Sequence, residues 1–259
     1  KALVKKGLVK VDGEIVKDNG LLIDPEKSVI NINGEDLFYR EYIYLMMNKP
    51  AGVISATYDK RDETVIDLLY MEDQVFEPFP VGRLDKDTEG LLVLTNDGQL
   101  AHRVLSPKKH VPKTYYAKIQ GKVTEEDILA FEKGVILDDG YETMPSQLKI
   151  LKSDDMSEIE LTIHEGKFHQ VKRMFESVGK KVVYLKRLSM GKLKLDESLK
   201  LGEYRELTEE EVSTMLKEII TNGNYTAKDM GKIMKEIMPM VNGKFDRAKI
   251  NPMVKQILG

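Results

Sequence analysis

Hydrophobic positions along this chain repeat with two periods, and each period predicts a different element. Leu91 to Leu94 is an unbroken apolar run between Gly90 and the turn dipeptide Asp97-Gly98, which predicts a buried strand. Tyr42 to Met47 is a second strand candidate, ended by Asn48-Lys49-Pro50-Ala51-Gly52, where proline and glycine force a turn. Thr114 to Lys118, Ser146 to Leu151, Ile159 to His164 and Val182 to Leu188 read as further strands. Helical spacing replaces alternation in three places. After Thr124 as N-cap, Ile128, Leu129 and Phe131 sit among acids that suit a first turn. Val171, Met174, Phe175 and Val178 follow the i, i+3, i+4, i+7 rule, with Gly179 as a natural C-cap. Thr208-Glu209-Glu210-Glu211 forms a capping box ahead of an apolar stripe at Val212, Met215, Leu216 and Ile219. Many strands with few helices predict an α+β domain around a mixed, mostly antiparallel sheet.

Three segments follow: residues 1–40, 41–220 and 221–259. In the first, Val9 to Val16 alternates around Asp12-Gly13 like a hairpin. In the last, Asn222-Gly223-Asn224 is a turn-prone linker into two short helices. Thr226 caps one, with its face at Met230, Ile233, Met234 and Ile237 before Pro239; the other carries Ile250, Val254, Ile257 and Leu258. Methionines at this spacing are ordinary core filling. The tail holds seven basic residues against three acidic ones, a charge of +4.

A chain of 259 residues with 41% hydrophobic content buries at least one substantial core and suggests one to three domains. No apolar run is long enough for a membrane helix, and no charged-then-apolar signal segment opens the sequence. Zero cysteines excludes disulfides and thiolate metal sites and fits a reducing compartment, so a cytoplasmic location is expected. The net charge of −3 at first sight argues against a nucleic-acid partner. Local distribution matters more than the total, however. Basic residues cluster at Lys1, Lys5, Lys6 and Lys10, at Lys108, Lys109, His110 and Lys113, and at Lys167, His169, Lys172 and Arg173. Acids concentrate elsewhere, as in Glu125-Glu126-Asp127 and Asp138-Asp139.

Chemistry concentrates in the loop before Leu91, where Asp85, Asp87 and Glu89 stand beside Arg83 and Lys86. A carboxylate on a short loop against a rigid strand, with cations to keep it ionised, suits a nucleophile or general base. The same pattern also describes a solvated surface of paired charges. A metal-dependent hydrolase using the three carboxylates is a further reading, opposed by the lack of supporting ligands: His164 and His169 are five apart across an apparent strand–turn–helix junction. No Gly-x-Gly-x-x-Gly or phosphate-loop pattern is present.

The eighteen residues Val81 to Gly98 closely resemble the Gly-Arg-Leu-Asp motif of pseudouridine synthases and its continuation. That resemblance implies a pseudouridine synthase catalytic domain and assigns the indispensable carboxylate to Asp85. The longer form, Asp-Lys-Asp-Thr-Glu-Gly, then an apolar strand, then Thr-Asn-Asp-Gly, is similar to the branch of the RsuA/RluB-type family that acts on small-subunit ribosomal RNA, the RsuA type. Lys113-Thr114-Tyr115 resembles the second motif, whose tyrosine lies against the target base; a Tyr half-buried in a strand is the plain alternative. Leu161 to Lys172 resembles the third, and puts on Lys172 the cation, commonly Arg, that pairs with the catalytic Asp. Lys172 equally fits the wet face of a helix. Arg83 is a candidate for a phosphate beside the flipped nucleotide or for base extrusion, and could instead pair with Asp87 or Glu89.

The implied reaction is an isomerisation of uridine in ribosomal RNA, with no cofactor and no membrane. A large-subunit target and a non-catalytic RNA-binding or assembly factor are the alternatives, and retention of Asp85 argues against the latter. Residues 1–40 resemble the second half of a small RNA-binding domain first seen in a small-subunit ribosomal protein (S4-like), truncated of its two leading helices. The tail resembles the helical module of YqeY proteins and of the amidotransferase subunit GatB, which implies an accessory RNA contact. Nothing in the sequence demands more than a monomer.

Overall fold

A computed structural model describes residues 2–24, 28–37, 42–106 and 110–221. The two tail helices, the linker before them, and Lys1, Lys108 and Lys109 lie outside the described residues. The N-terminal segment has a short helix α1 (Ala2–Lys5) and four strands, β1 (Val9–Val11), β2 (Glu14–Ile15), β3 (Ile30–Ile32) and β4 (Glu35–Leu37), ordered β2-β1-β3-β4 and all antiparallel. The expected hairpin is β1–β2. Asp12 (φ 51°) and Gly13 (φ 86°) both take the left-handed conformation that a two-residue type I′ loop requires.

The larger sheet comprises β5 (Tyr44–Lys49), β6 (Phe79–Pro80), β7 (Glu89–Thr95), β8 (Lys113–Gln120), β9 (Gln147–Lys152), β10 (Met156–Ile163), β11 (Lys181–Met190), β12 (Leu193–Lys194) and β13 (Tyr204–Glu206). Its main order is β13-β5-β7-β11-β8-β10-β9, with β6 beside β7 and β12 beside β11. Only β7–β11 is parallel among these pairs, so the sheet is mixed and mostly antiparallel, as expected for an α+β fold. The helices are α2 (Met71–Gln74), α3 (Gly98–Leu105), α4 (Glu125–Lys133), α5 (Gln170–Ser177) and α6 (Glu209–Thr221).

Two cores lie on the two faces of the larger sheet. On one face Leu45, Met47, Leu92 and Leu94 pack with Phe131 of α4 and Val171, Met174 and Phe175 of α5. On the other, Tyr44, Met46, Leu91 and Val93 pack with Leu100 and Val104 of α3 and Val212 and Met215 of α6. Strands β5 and β7 are therefore covered on both faces, which is why they read as continuous apolar runs. Strand β8 has one buried face, at Tyr115, Ala117 and Ile119, and alternates. Phe131 and Phe175 meet edge-to-face with centroids 5.0 Å apart and tie α4 to α5.

Asp97-Gly98 does not close a turn. It opens α3, because the Asp97 side chain accepts hydrogen bonds from the backbone of Gln99 (3.0 Å) and Leu100 (2.9 Å) as an N-cap. The strand expected at Tyr42 to Met47 is shifted to Tyr44–Lys49, where Asn48 and Lys49 remain paired with Leu91 and Gly90. The capping box at Thr208 is present, with the Glu211 backbone N–H donating to its hydroxyl and the Glu211 carboxylate accepting from its N–H.

Candidate active site

The loop Leu84–Thr88 is built around a buried ammonium. Lys49, at the end of β5, is fully buried, and its Nζ donates to the carbonyls of Pro50 (2.9 Å), Asp85 (3.1 Å), Lys86 (3.4 Å) and Thr88 (3.0 Å). The turn after Pro50 adds two clamps. Gly52 N–H donates to Lys86 O at 2.7 Å, and the Ser55 hydroxyl accepts from Leu84 N–H and donates to Leu84 O, both at 3.0 Å. Leu84 and Thr88 are buried at either end of the loop, leaving Asp85, Lys86 and Asp87 facing outward. Burial pushes the Lys49 ammonium down to about 8, against the pull of Asp85, Asp87 and Glu89.

Asp85 is partly exposed, with 26% of its side chain accessible. Lys172 of α5 lies 3.0 Å from its Oδ2, and His169 Nε2 lies 3.6 Å from its Oδ1. His169 reaches this position because it precedes α5 in the left-handed conformation, at φ 48°. Lys172 also bonds Asp87 at 2.6 Å. Burial works against the Lys172 charge, but its hydrogen bonds to Asp87 and Asp85 outweigh this and hold it above the usual lysine range. The other charges of the loop are engaged elsewhere: Lys86 pairs with Asp62 at 2.6 Å, and Glu89 accepts from the Tyr184 hydroxyl at 2.7 Å.

Asp85 opens onto a cavity of about 330 Å³ that also carries Arg83, Lys113, Tyr115, His169 and Arg187. Asp87 and Glu89 do not line it, so the loop offers this space one carboxylate. Among the described residues no three His, Asp or Glu side chains converge as a metal site requires. The cavity floor is one sheet face. Lys113 and Tyr115 are two apart on β8, and Arg187 of β11 lies across from Tyr115. Its cations Arg83, Lys113, Lys167 and Arg187 outnumber its carboxylates Asp85 and Glu165. Glu165 is committed to the Tyr141 hydroxyl (2.6 Å), Met144 N–H (2.9 Å) and the Gln170 amide (2.8 Å). Burial, with Arg187 nearby, pushes the Lys113 ammonium down to about 8.

The structure brings Arg83, Asp85 and Tyr115 to a single cavity, and Lys172 joins them through Asp85. Arg83 does not pair with Asp87 or Glu89, which have taken Lys172 and Tyr184; it stands exposed on the cavity wall. Lys172 is not on a wet face, being 20% exposed between two carboxylates. The basic cluster Lys167, His169, Lys172 and Arg173 is largely neutralised within the fold, since Arg173 binds Asp138 and Asp139. Sequence reasoning gave no role to Lys49, counted Lys113 only within a basic cluster and the second motif, and passed over Arg187. For the last two a signal existed, because Lys113 shares its strand parity with Tyr115 and Arg187 with Leu185, both inward-facing.

Comparison with known proteins agrees with two of the three resemblances, those of the catalytic domain and of the YqeY-like tail. The family model for RNA pseudouridylate synthase matches residues 43–177, and that for the YqeY-like protein matches residues 201–258. The first part of the latter span forms β13 and α6, which are built into the larger sheet and its second core. The chain is 58% identical over 213 residues to an uncharacterized RNA pseudouridine synthase of Bacillus subtilis (strain 168), YtzG, across 82% of this chain and 89% of that protein. It is 41% identical over 216 residues to the ribosomal small subunit pseudouridine synthase A of Vibrio cholerae, across 83% of this chain and 91% of that protein. A crystal structure of a pseudouridylate synthase superposes with a TM-score of 0.63 at 39% identity, covering 83% of this chain and 91% of the other.

Proposed function

This chain belongs to the RNA pseudouridylate synthase family, and we propose that it converts a specific uridine of small-subunit ribosomal RNA to pseudouridine, with Asp85 as the reacting carboxylate. One observation carries the reading. A carboxylate fixed by its own backbone to a buried ammonium, and faced by Lys172 at 3.0 Å, opens onto a cavity walled by Tyr115.

The reaction breaks the bond from ribose to a uracil nitrogen and rejoins the sugar to a ring carbon, so the base must be held while it turns. A space of about 330 Å³ suits one everted nucleoside and excludes a stacked helix. Tyr115 offers a ring on which the base can stack, worth about 1–3 kcal/mol. Lys172, 3.0 Å away, orients the Asp85 carboxylate, the group able to meet an electron-poor sugar carbon or take a proton. Arg83, exposed on the wall, is placed for a phosphate next to the everted nucleotide. The small-subunit target is supported by the likeness to the Vibrio cholerae enzyme and by the resemblance of the Lys86–Glu89 segment to the small-subunit branch. The tail adds an accessory RNA contact through its charge of +4.

Mapping pseudouridines on both ribosomal RNAs, with and without this protein, tests the reading. We expect one small-subunit site to appear with the wild type and to be absent with Asp85→Asn, while RNA binding stays within a few-fold. A large-subunit site would move the target, and turnover by Asp85→Asn would remove that residue from its role.

A further inference from the structure

Arg187 is the group in this fold whose surroundings least explain its charge. It is 2% exposed, and among the described residues only its Nε has a partner, the Leu91 carbonyl at 2.8 Å. Nη2 is sealed from solvent with no hydrogen bond at all. No carboxylate among the described residues pairs with it, and Glu165 has committed both oxygens to other donors. Lys113 stands near enough to repel it, half-buried on the same floor, with only the Val111 carbonyl (3.1 Å) as acceptor. Removing one buried cation from water without a partner is costly, and placing two side by side is more so. The bond from Arg187 to Leu91 and the attraction of Glu165 for Lys113 offset only part of this cost. A ligand bringing electron density to the cavity floor would discharge it.

We infer that Lys113 and Arg187 form a cation pair that receives a carbonyl oxygen of the everted uracil and stabilises the negative charge of the base as it leaves the sugar. This rests on the pseudouridine synthase reading and deepens it. When the C1′–N1 bond breaks, both electrons leave on the base, so negative charge spreads over N1, O2 and O4. The electron-poor C1′ then faces the Asp85 carboxylate. After the base turns, C5 supplies an electron pair to C1′, a proton is lost from C5 and one is gained at N1, so nothing is oxidised or reduced. Donors fixed where that charge develops act in a dry site without reorganising, the condition under which electrostatic stabilisation is largest. A backbone phosphate is the poorer occupant. It is tied to a chain that must leave by the mouth, where Arg83 is exposed, whereas Arg187 is enclosed beside Tyr115, the surface against which the base lies.

The test pairs enzyme and substrate changes in one cycle. An RNA fragment carrying the mapped target is made with uridine, 2-thiouridine or 4-thiouridine, since sulfur accepts hydrogen bonds more weakly than oxygen. Single-turnover rates are measured for the wild type, Lys113→Met and Arg187→Lys. One thio replacement should slow the wild type at least tenfold, yet slow Lys113→Met by less than threefold beyond that variant's own loss. Fragment affinity should stay within threefold throughout. Arg187→Lys keeps charge without the fork and should fall between the two; it carries the same cycle if Lys113→Met does not fold. If mutation and replacement simply multiply, the cation pair does not touch the base and the inference is wrong. If the wild type makes no pseudouridine in any ribosomal RNA, the functional reading itself fails, and that outcome is distinct from an uncoupled cycle.

Discussion

Replacing Lys49 with methionine removes the centre of the Asp85 loop while preserving apolar bulk. Four carbonyls lose a donor. Two keep another, since Asp85 O also accepts from Thr88 N–H (3.1 Å) and Lys86 O from Gly52 N–H (2.7 Å). Pro50 and Thr88 lose the ammonium outright, at about 1–3 kcal/mol for each acceptor left unsatisfied. Against this, methionine does not bear the charge that burial resists. A lysine held at about 8 instead of 10.5 carries a penalty on the order of 3 kcal/mol at neutral pH. The two effects nearly cancel, so the net loss should be roughly 0–3 kcal/mol, a melting shift of no more than about 12 °C at this size. Activity has no such compensation. The Asp85 backbone loses a fixed point, and a misplacement near 1 Å can lower rate about 100-fold. The pH dependence separates the causes. In the wild type, the unfolded state binds one more proton than the folded state between pH 8 and 10.5, so the Lys49 contribution to stability rises with pH across that window and is lost as pH falls through 8. Lys49→Met should show a smaller slope in urea denaturation between pH 8 and pH 10, keeping the part due to Lys113, and should show single-turnover rates down ten- to 100-fold. A variant with wild-type rate would refute the positioning role, and one with an unchanged pH slope would refute the buried charge.

Other predictions concern the groups around that loop. Lys172→Met should lower the single-turnover rate about ten- to 100-fold by leaving Asp85 and Asp87 without the cation between them, whereas Asp87→Asn, at a side chain 73% exposed and off the cavity, should change it less than about threefold. Equal effects of the two would contradict the assignment. Gly90→Ala should destabilise by more than about 2 kcal/mol in urea, because Gly90 sits at φ 102° and an added Cβ would run into the Arg187 backbone across the parallel pair. Normal stability would mean that β7 and β11 are not so close. Arg83→Gln should flatten the dependence of log affinity on log salt by about 0.7 for a single-stranded target, while Lys172→Gln, whose charge is already paired, should leave that slope in place. The reverse result would put the phosphate contact on α5.

The fold was legible wherever burial follows a local period. Leu91 to Leu94 could only be a strand covered on both faces, and Val171, Met174, Phe175 and Val178 only a helix with one inward stripe. The start of α3 was not, since Asp-Gly serves equally as a hairpin turn and as an N-cap followed by a helix; only the Tyr44 hydroxyl on Asp97, 2.9 Å away and 53 residues earlier, separates the two. For the site, the family resemblance pointed to Asp85, Tyr115 and Lys172, which the structure places at one cavity or beside it. Sequence reasoning could not reach Lys49, because a lysine beside a Pro-Ala-Gly turn is ordinarily solvated, and its acceptors come from a loop 36 to 39 residues away.

Charge shows the same division between local and distant information. The net value of −3 and the clusters of lysine could both be counted, yet neither says which charges remain free. Arg173 and Lys172 stand in one basic run and spend themselves on acids 35 and 85 residues away, at Asp138 and Asp87. Arg187 sits in a strand that reads as structural and Lys113 at the head of the strand carrying Tyr115, and among the described residues neither pairs with a carboxylate. The cavity is therefore cationic because the fold brings together Arg83, Lys113, Lys167 and Arg187, which are far apart in the sequence. An acidic chain of this kind can receive a polyanion, provided that the nucleotide it acts on leaves the stack and enters.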